Sequence, residues 1–226
     1  MDGEIIAFGL RIDGRRPEEI RKIQYTLNTT DADGSVEYKQ GNTHILVSIS
    51  GPKQGKHETC TIRPRLAMAR FCTMSNRRRY DNDKRMMEFE RELKDILEGN
   101  VIQESLNNSE IDVNVLVLVD DGSVEAAVIN ACSLGLMNAG IPIKDYLIAC
   151  TSGCVEDTAI VDLNDYESKS RALITEYIVA ISSRSKDIVY LSYDDIGGHK
   201  LNEGLVEKLT KASIEGCDHI VKAINE

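Results

Sequence analysis

The sequence predicts a mixed α+β (α/β) fold, a single domain over residues 1–226 in which mixed sheets pack against helices. Two observations carry this. Short β-branched or alternating runs are interleaved with longer segments of helical period, in the order strands, helix, strand, helix, several strands, helix. The chain has 226 residues, 42% of them hydrophobic, with no internal repeat, low-complexity stretch or linker, which is enough for one sizeable core.

Residues 13–21, DGRRPEEIR, form a polar, turn-like opening containing Pro17. Short strands are expected at 22–29 and 35–39, on either side of the turn Asp31-Ala32-Asp33-Gly34. Gly41-Asn42-Thr43 breaks the chain before His44–Ser50, whose β-branched, apolar character suits an inner strand that ends at Gly51-Pro52. Residues 53–59 are polar, 60–74 hold a further strand, and 75–85 form a polar loop.

Met86, Phe89, Leu93, Ile96 and Leu97 then recur at helical spacing with charges between them, and Met87 reads as a core or partner contact. Residues 111–119 begin in alternation and finish apolar, as a strand does. Residues 125–138 are dense in small apolar side chains, which predicts a helix buried on most sides and stopped at Ala139-Gly140-Ile141-Pro142. Strands follow near 145–150, 158–163, 173–181 and 187–193, and the tail 201–224 is a helix with Leu201, Leu205, Leu209 and Ile220 on one side.

Composition narrows the function. No apolar run reaches the length of a membrane span, and the start lacks a basic n-region and a long apolar stretch, so residence in the cytosol or nucleus is expected. Cys60, Cys72, Cys132, Cys150, Cys154 and Cys217 form no CxxC pair and read as reduced, buried thiols. His44, His57, His199 and His219 fall in no triad-like or HxH pattern, so protease and zinc-hydrolase chemistry has no support. The net charge of −10 argues against a protein that coats nucleic acid, and aromatic residues at 5% argue against many base-stacking platforms. The charge is uneven, however. Residues 63–91 hold nine Lys/Arg against four acids, a local +5 on a remainder of −15, which suits either a narrow polyanion path or a solvated loop and charged helix.

Four blocks in sequence order resemble the RNase PH family. They are Asp13-Gly14-Arg15-Arg16-Pro17-Glu18-Glu19-Ile20-Arg21; Gly34-Ser35 with Gln40-Gly41-Asn42-Thr43 and Gly51-Pro52; Ile111-Asp112-Val113 leading to Asp121-Gly122-Ser123 and Ala139-Gly140-Ile141-Pro142; and Asp162-Leu163-Asn164. The resemblance covers roughly residues 10–222. The arginine-rich loop and short length look most like an exosome ring subunit of the type whose archaeal counterpart carries catalysis. What this implies is a hetero-hexameric ring of related RNase PH-like subunits around a pore, RNA-binding cap subunits on one face, a separate hydrolytic nuclease at the other end, single-stranded RNA as the cargo, and a place in RNA processing and degradation, rRNA included, in nucleus, nucleolus and cytoplasm.

Phosphorolysis must hold inorganic phosphate beside an RNA phosphate, which demands a helix N-terminus, a hydroxyl, Arg/Lys side chains and a carboxylate. Gly122-Ser123 opens the expected helix and offers either an anion cradle or only a cap. The family pattern continues with Arg, whereas this chain has Val124 followed by Glu125. Losing one preorganised donor costs about 10²–10³-fold in rate, by analogy with oxyanion holes. The active pattern also has two aspartates six residues apart, and here Asp162 is followed at that distance by Ser168. Loss of a general acid costs about 10²–10⁴-fold. Both sites therefore read as vestigial. The resemblance places Lys84 and Arg85 on RNA phosphates, with Arg77, Arg78 and Arg79 in the loop before them and Arg63 and Arg65 as further cations.

The expected function is a non-catalytic ring subunit, needing no cofactor, that supports assembly and the RNA route. The alternative is an active phosphate-dependent 3′-to-5′ exoribonuclease, which would use phosphate and Mg²⁺. A third reading, a metal-dependent hydrolase, would require Asp162, Asp165 and Glu167 to converge on one ion.

Overall fold

A computed structural model describes residues 6–7, 9–55, 59–72, 84–155, 158–170, 173–195 and 203–225. Alternation and β-branching build two main sheets. The first has the order β3-β4-β5-β7-β6, from β3 (Ile23–Leu27), β4 (Gly34–Gln40), β5 (Thr43–Gln54), β6 (Thr61–Met68) and β7 (Ser109–Val119). It is antiparallel except where β6 runs parallel to β7. The second has the order β11-β10-β8-β9, from β8 (Leu147–Val155), β9 (Thr158–Val161), β10 (Leu173–Ser182) and β11 (Ile188–Asp195), all antiparallel. A two-stranded ribbon, β1 (Ile6–Ala7) and β2 (Leu10–Arg11), precedes them.

Between the sheets lies α2 (Val124–Asn138), with every residue from Ala126 to Leu136 buried. Its small side chains allow this close approach: a Cβ on Gly135 would stand 2.9 Å from the Ile49 side chain. Helix α1 (Lys84–Asn100) packs its Phe89, Leu93, Ile96 and Leu97 stripe into the core shared with α2 and the first sheet. The last helix, α4 (Glu203–Asn225), covers the second sheet through Leu209, Cys217 and Ile220. All six cysteines are free and buried, and burial pushes the Cys132 thiol up to about 12. Among the described residues, no helix is long and apolar enough to cross a membrane.

Four features depart from the sequence expectation. The strand expected to end at Gly51-Pro52 continues to Gln54, its register against β7 shifting between Ser50 and Lys53. A bulge absorbs the proline there, as it must where a ladder N–H is missing. Helix α1 already includes Lys84 and Arg85. Met87 is 53% exposed, which removes the core reading and leaves that of a partner contact. A short helix, α3 (Asp165–Ser168), stands where strand-to-loop chain was expected, closed by a capping box between Asn164 and Glu167. Leu201, His57 and His199 lie outside the described residues.

Candidate functional site

The sequence blocks of the opening, of the α2 start and of Asp162 meet in one buried polar knot. Asp162 follows β9 in the left-handed region at φ 56° and is fully buried. A carboxylate without solvent must be paired, and Arg21 supplies the pair. Its Nη2 donates to Oδ1 at 2.7 Å and its backbone N–H donates to Oδ2 at 2.7 Å. Burial pushes the Asp162 carboxyl up, but the charge and hydrogen bonds of Arg21 outweigh it and hold the group below its usual range. The same guanidinium donates to the Asp121 carbonyl at 2.7 Å and the Gly122 carbonyl at 3.2 Å, so one side chain ties the α2 entry loop to the end of β9. Thr43 adds a donor to the Gly122 carbonyl at 2.9 Å.

The two loops touch. A Cβ on Gly122, whose φ is +85°, would lie 2.5 Å from the Asn164 carbonyl carbon, so only glycine fits. Ser123 has φ 53° and makes no side-chain cap bond; its hydroxyl donates inward to the Leu163 carbonyl at 2.9 Å. This corrects the cap expectation for Ser123: the hydroxyl is directed to the neighbouring loop and does not cap α2.

A second arginine secures α3. Arg11 is buried, donates from Nε to Glu167 Oε1 at 2.7 Å, pairs again with Oε2, and reaches the Val161 and Asp162 carbonyls. Glu167 closes the capping box as well. Asp165 pairs outward with Lys169. Each of the three carboxylates of the metal-hydrolase reading is thus engaged with a cation, and a guanidinium, Arg15, stands between Asp162 at 3.6 Å and Glu167 at 4.0 Å. Among the described residues, no three His, Cys, Asp or Glu side chains are placed to hold a metal ion. Ser168 ends α3, its hydroxyl enclosed without a hydrogen-bond partner.

Beside the α2 start the electrostatics are acidic. Val124 packs against the main core. Glu125 receives Arg85 at 3.2 Å, and the same guanidinium reaches Asp194 of β11 at 3.2 Å. Burial raises the Glu125 carboxyl, with Arg85 opposing. Glu176, on β10, is pushed up to about 7 by burial; Arg85 opposes this and the charges of Glu125, Asp194 and Asp120 reinforce it. Burial also raises the Asp120 carboxyl. Glu125 and Asp194 therefore share Arg85 next to the helix N-terminus, with the raised carboxyls of Glu176 and Asp120 beside them, the reverse of what a free phosphate needs.

The remaining cations are dispersed. Lys84 is exposed on the first turn of α1. Arg63 and Arg65 are exposed on β6, Arg63 paired with Glu110. Arg77, Arg78 and Arg79 lie outside the described residues. Sequence reasoning assigned no role to Arg11, Arg21 or Glu176. The Asn164-x-x-Glu167 capping signal was readable and pointed to α3, but the arginines reach partners some 140–156 positions away and left no local signal.

This arrangement of an N-terminal arginine, a Gly-Ser helix entry and a buried aspartate on a two-sheet core goes with a recognised class. A sequence model described as the 3′ exoribonuclease family (RNase PH), domain 1, matches residues 19–142, and the chain belongs to this family. Among characterised proteins it is similar to the mouse exosome complex component RRP41, at 33% identity over 92% of this chain and 86% of that protein. It is also similar to the Arabidopsis thaliana RRP41 homolog, at 31% identity over 96% of this chain and 91% of that protein. Among solved structures, rice Rrp46 superposes with a TM-score of 0.81 at 26% identity, covering 94% of this chain and 97% of that one. The fold is shared with an Archaeoglobus fulgidus exosome whose RNA is bound to the active site, at a TM-score of 0.80 and 22% identity over 95% and 92% of the two chains.

Proposed function

We propose that this chain is a non-catalytic ring subunit of an RNA exosome that helps assemble the ring and carries RNA without cutting it. One observation carries the reading: the α2 entry, where a phosphorolytic enzyme grips free phosphate, presents Val124 and Glu125, with Glu176 and Asp194 beside them and Arg85 already claimed by carboxylates. The vestigial positions Asp162 and Ser168 support it, the first sealed under Arg21 and the second a hydroxyl in place of a carboxylate. In this reading Gly122 and Ser123 keep only the architecture of the anion cradle.

The partners are related RNase PH-type subunits in a hetero-hexameric ring, RNA-binding cap subunits, a hydrolytic nuclease that does the cutting, and single-stranded RNA. The setting is 3′-to-5′ RNA processing and degradation in nucleus, nucleolus and cytoplasm. The RNA contacts are Arg77, Arg78, Arg79 and Lys84, with Arg85 available once RNA phosphate displaces Glu125 and Asp194. The RNA-bound active site of the archaeal neighbour keeps an active phosphorolytic enzyme as the second reading.

A nuclease assay separates the two. Single-stranded RNA incubated with the purified chain, and with the ring lacking its hydrolytic nuclease, should give no product with or without phosphate and Mg²⁺. Phosphate-dependent release of nucleoside diphosphates would overturn the proposal.

A further inference from the structure

A second cationic feature lies away from the α2 entry. Strand β6 is the edge of the first sheet, and α1 runs along it. The outward N–H groups of that edge are sealed by the helix: Glu98 accepts from the Ile62 N–H at 3.1 Å and Glu90 accepts from the Leu66 N–H at 3.4 Å. Between them stands Pro64, which has no N–H to offer. The spacing explains the match. Four residues of helix rise about 6 Å and two residues of strand about 6.6 Å, so Glu98, Lys94 and Glu90 fall level with residues 62, 64 and 66. At the proline rung a third glutamate would find no donor, and a lysine occupies that place.

The result is an open groove of about 470 Å³ whose acids are spent on backbone or on exposed pairs while its cations remain outward. Its charged lining is Arg63, Arg65, Glu90, Arg91 and Lys94. Arg63 pairs with Glu110 and Lys94 with Glu98 at 3.8 Å, all exposed or half-buried and so weakly held. Arg65 and Arg91 are exposed and make no ion pair with a described residue. Among the described residues no aromatic side chain lines the groove, so a ligand there is met by them through its charge and not by stacking.

We propose that the β6–α1 groove is a second RNA contact, in which Arg65 and Arg91, flanked by Arg63 and Lys94, hold phosphodiesters of single-stranded RNA without reading its bases. The inference rests on the RNA-conduit reading above. Charge selects the ligand: with Glu110 and Glu98 paired to Arg63 and Lys94 and Glu90 turned to the Leu66 N–H, Arg65 and Arg91 are the cations left to attract a polyanion on a chain of net charge −10.

The test uses the chain assembled with its ring partners and labelled oligouridylate, with affinity measured across a salt series. Arg65→Glu with Arg91→Glu should weaken binding about tenfold and reduce the magnitude of the salt slope by about 1.4, for two lost phosphate contacts on a single strand. Both residues are exposed, so circular dichroism should show an unchanged fold. A parallel variant, Arg77→Glu, Arg78→Glu and Arg79→Glu, separates the two claims. Unchanged affinity and slope in the groove variant, with loss in the loop variant, overturns the groove alone. No change in either variant overturns the conduit reading itself. A folded groove variant that no longer enters the ring would also overturn the inference, because the groove would then be a contact for an acidic protein surface.

Discussion

Arg21 meets Asp162 through both its guanidinium and its own backbone N–H, so a single residue of the N-terminal segment fixes the carboxylate from two directions. The aspartate that the family pattern places at the chemistry is here fully buried and paired with an arginine.

Removing one partner of this pair should be costly. Asp162→Asn or Arg21→Gln leaves the other charge buried and is expected to cost about 3–5 kcal/mol in urea unfolding. The pH dependence has a fixed sign. A carboxyl held low in the folded state contributes fully above its unfolded value of 3.8, and that contribution is lost as pH falls through the lower folded value. The wild-type chain should therefore show an acid limb below pH 3.8 that Asp162→Asn reduces. An unaltered limb would show that the pair is not intact in solution.

Glu176 should behave in the opposite way. Its carboxyl is raised from 4.5 to about 7, so the folded chain binds the extra proton and stability declines as pH rises through that window. Glu176→Gln is expected to raise Tm at pH 8 by about 2–8 °C, for a gain of about 1–2 kcal/mol, and to change it little near pH 4.5. Equal gains at both pH values would mean that burial and repulsion at this group are not the cause.

Two glycines give a matched pair. Gly122→Ala meets both a left-handed φ and the Asn164 backbone, and should destabilise by at least about 2–3 kcal/mol. Gly99→Ala, inside α1 with nothing within 4 Å of the added methyl, should stabilise by about 0.5–1 kcal/mol. Chemical denaturation of the two variants reads both signs, and a tolerated Gly122→Ala would mean that the loops are not in contact.

Much of the fold was legible because periodicity is local. Phe89, Leu93, Ile96 and Leu97 announced α1, and the small apolar run after Glu125 announced a helix buried between layers. Helix α3 escaped because four residues carry no hydrophobic period and only the Asn164-x-x-Glu167 capping spacing marks it, and the β5 extension escaped because Gly51-Pro52 looks like a stop when the partner strand is unknown. At the site, the absent Arg at Val124 could be read directly. The acidic surroundings of the α2 entry could not. Glu125, Glu176 and Asp194 come from α2, β10 and β11, and only folding gathers them around Arg85. Asp162 could be read as a carboxylate but not as a buried one, since its partner lies 141 positions away.

Titration of inorganic phosphate into the purified chain and into its ring, followed by calorimetry, tests the central claim most directly. The carboxylates around the α2 entry predict no saturable heat at millimolar phosphate in the chain alone. Saturable binding that Val124→Glu abolishes would place a working anion pocket at that helix and contradict the account.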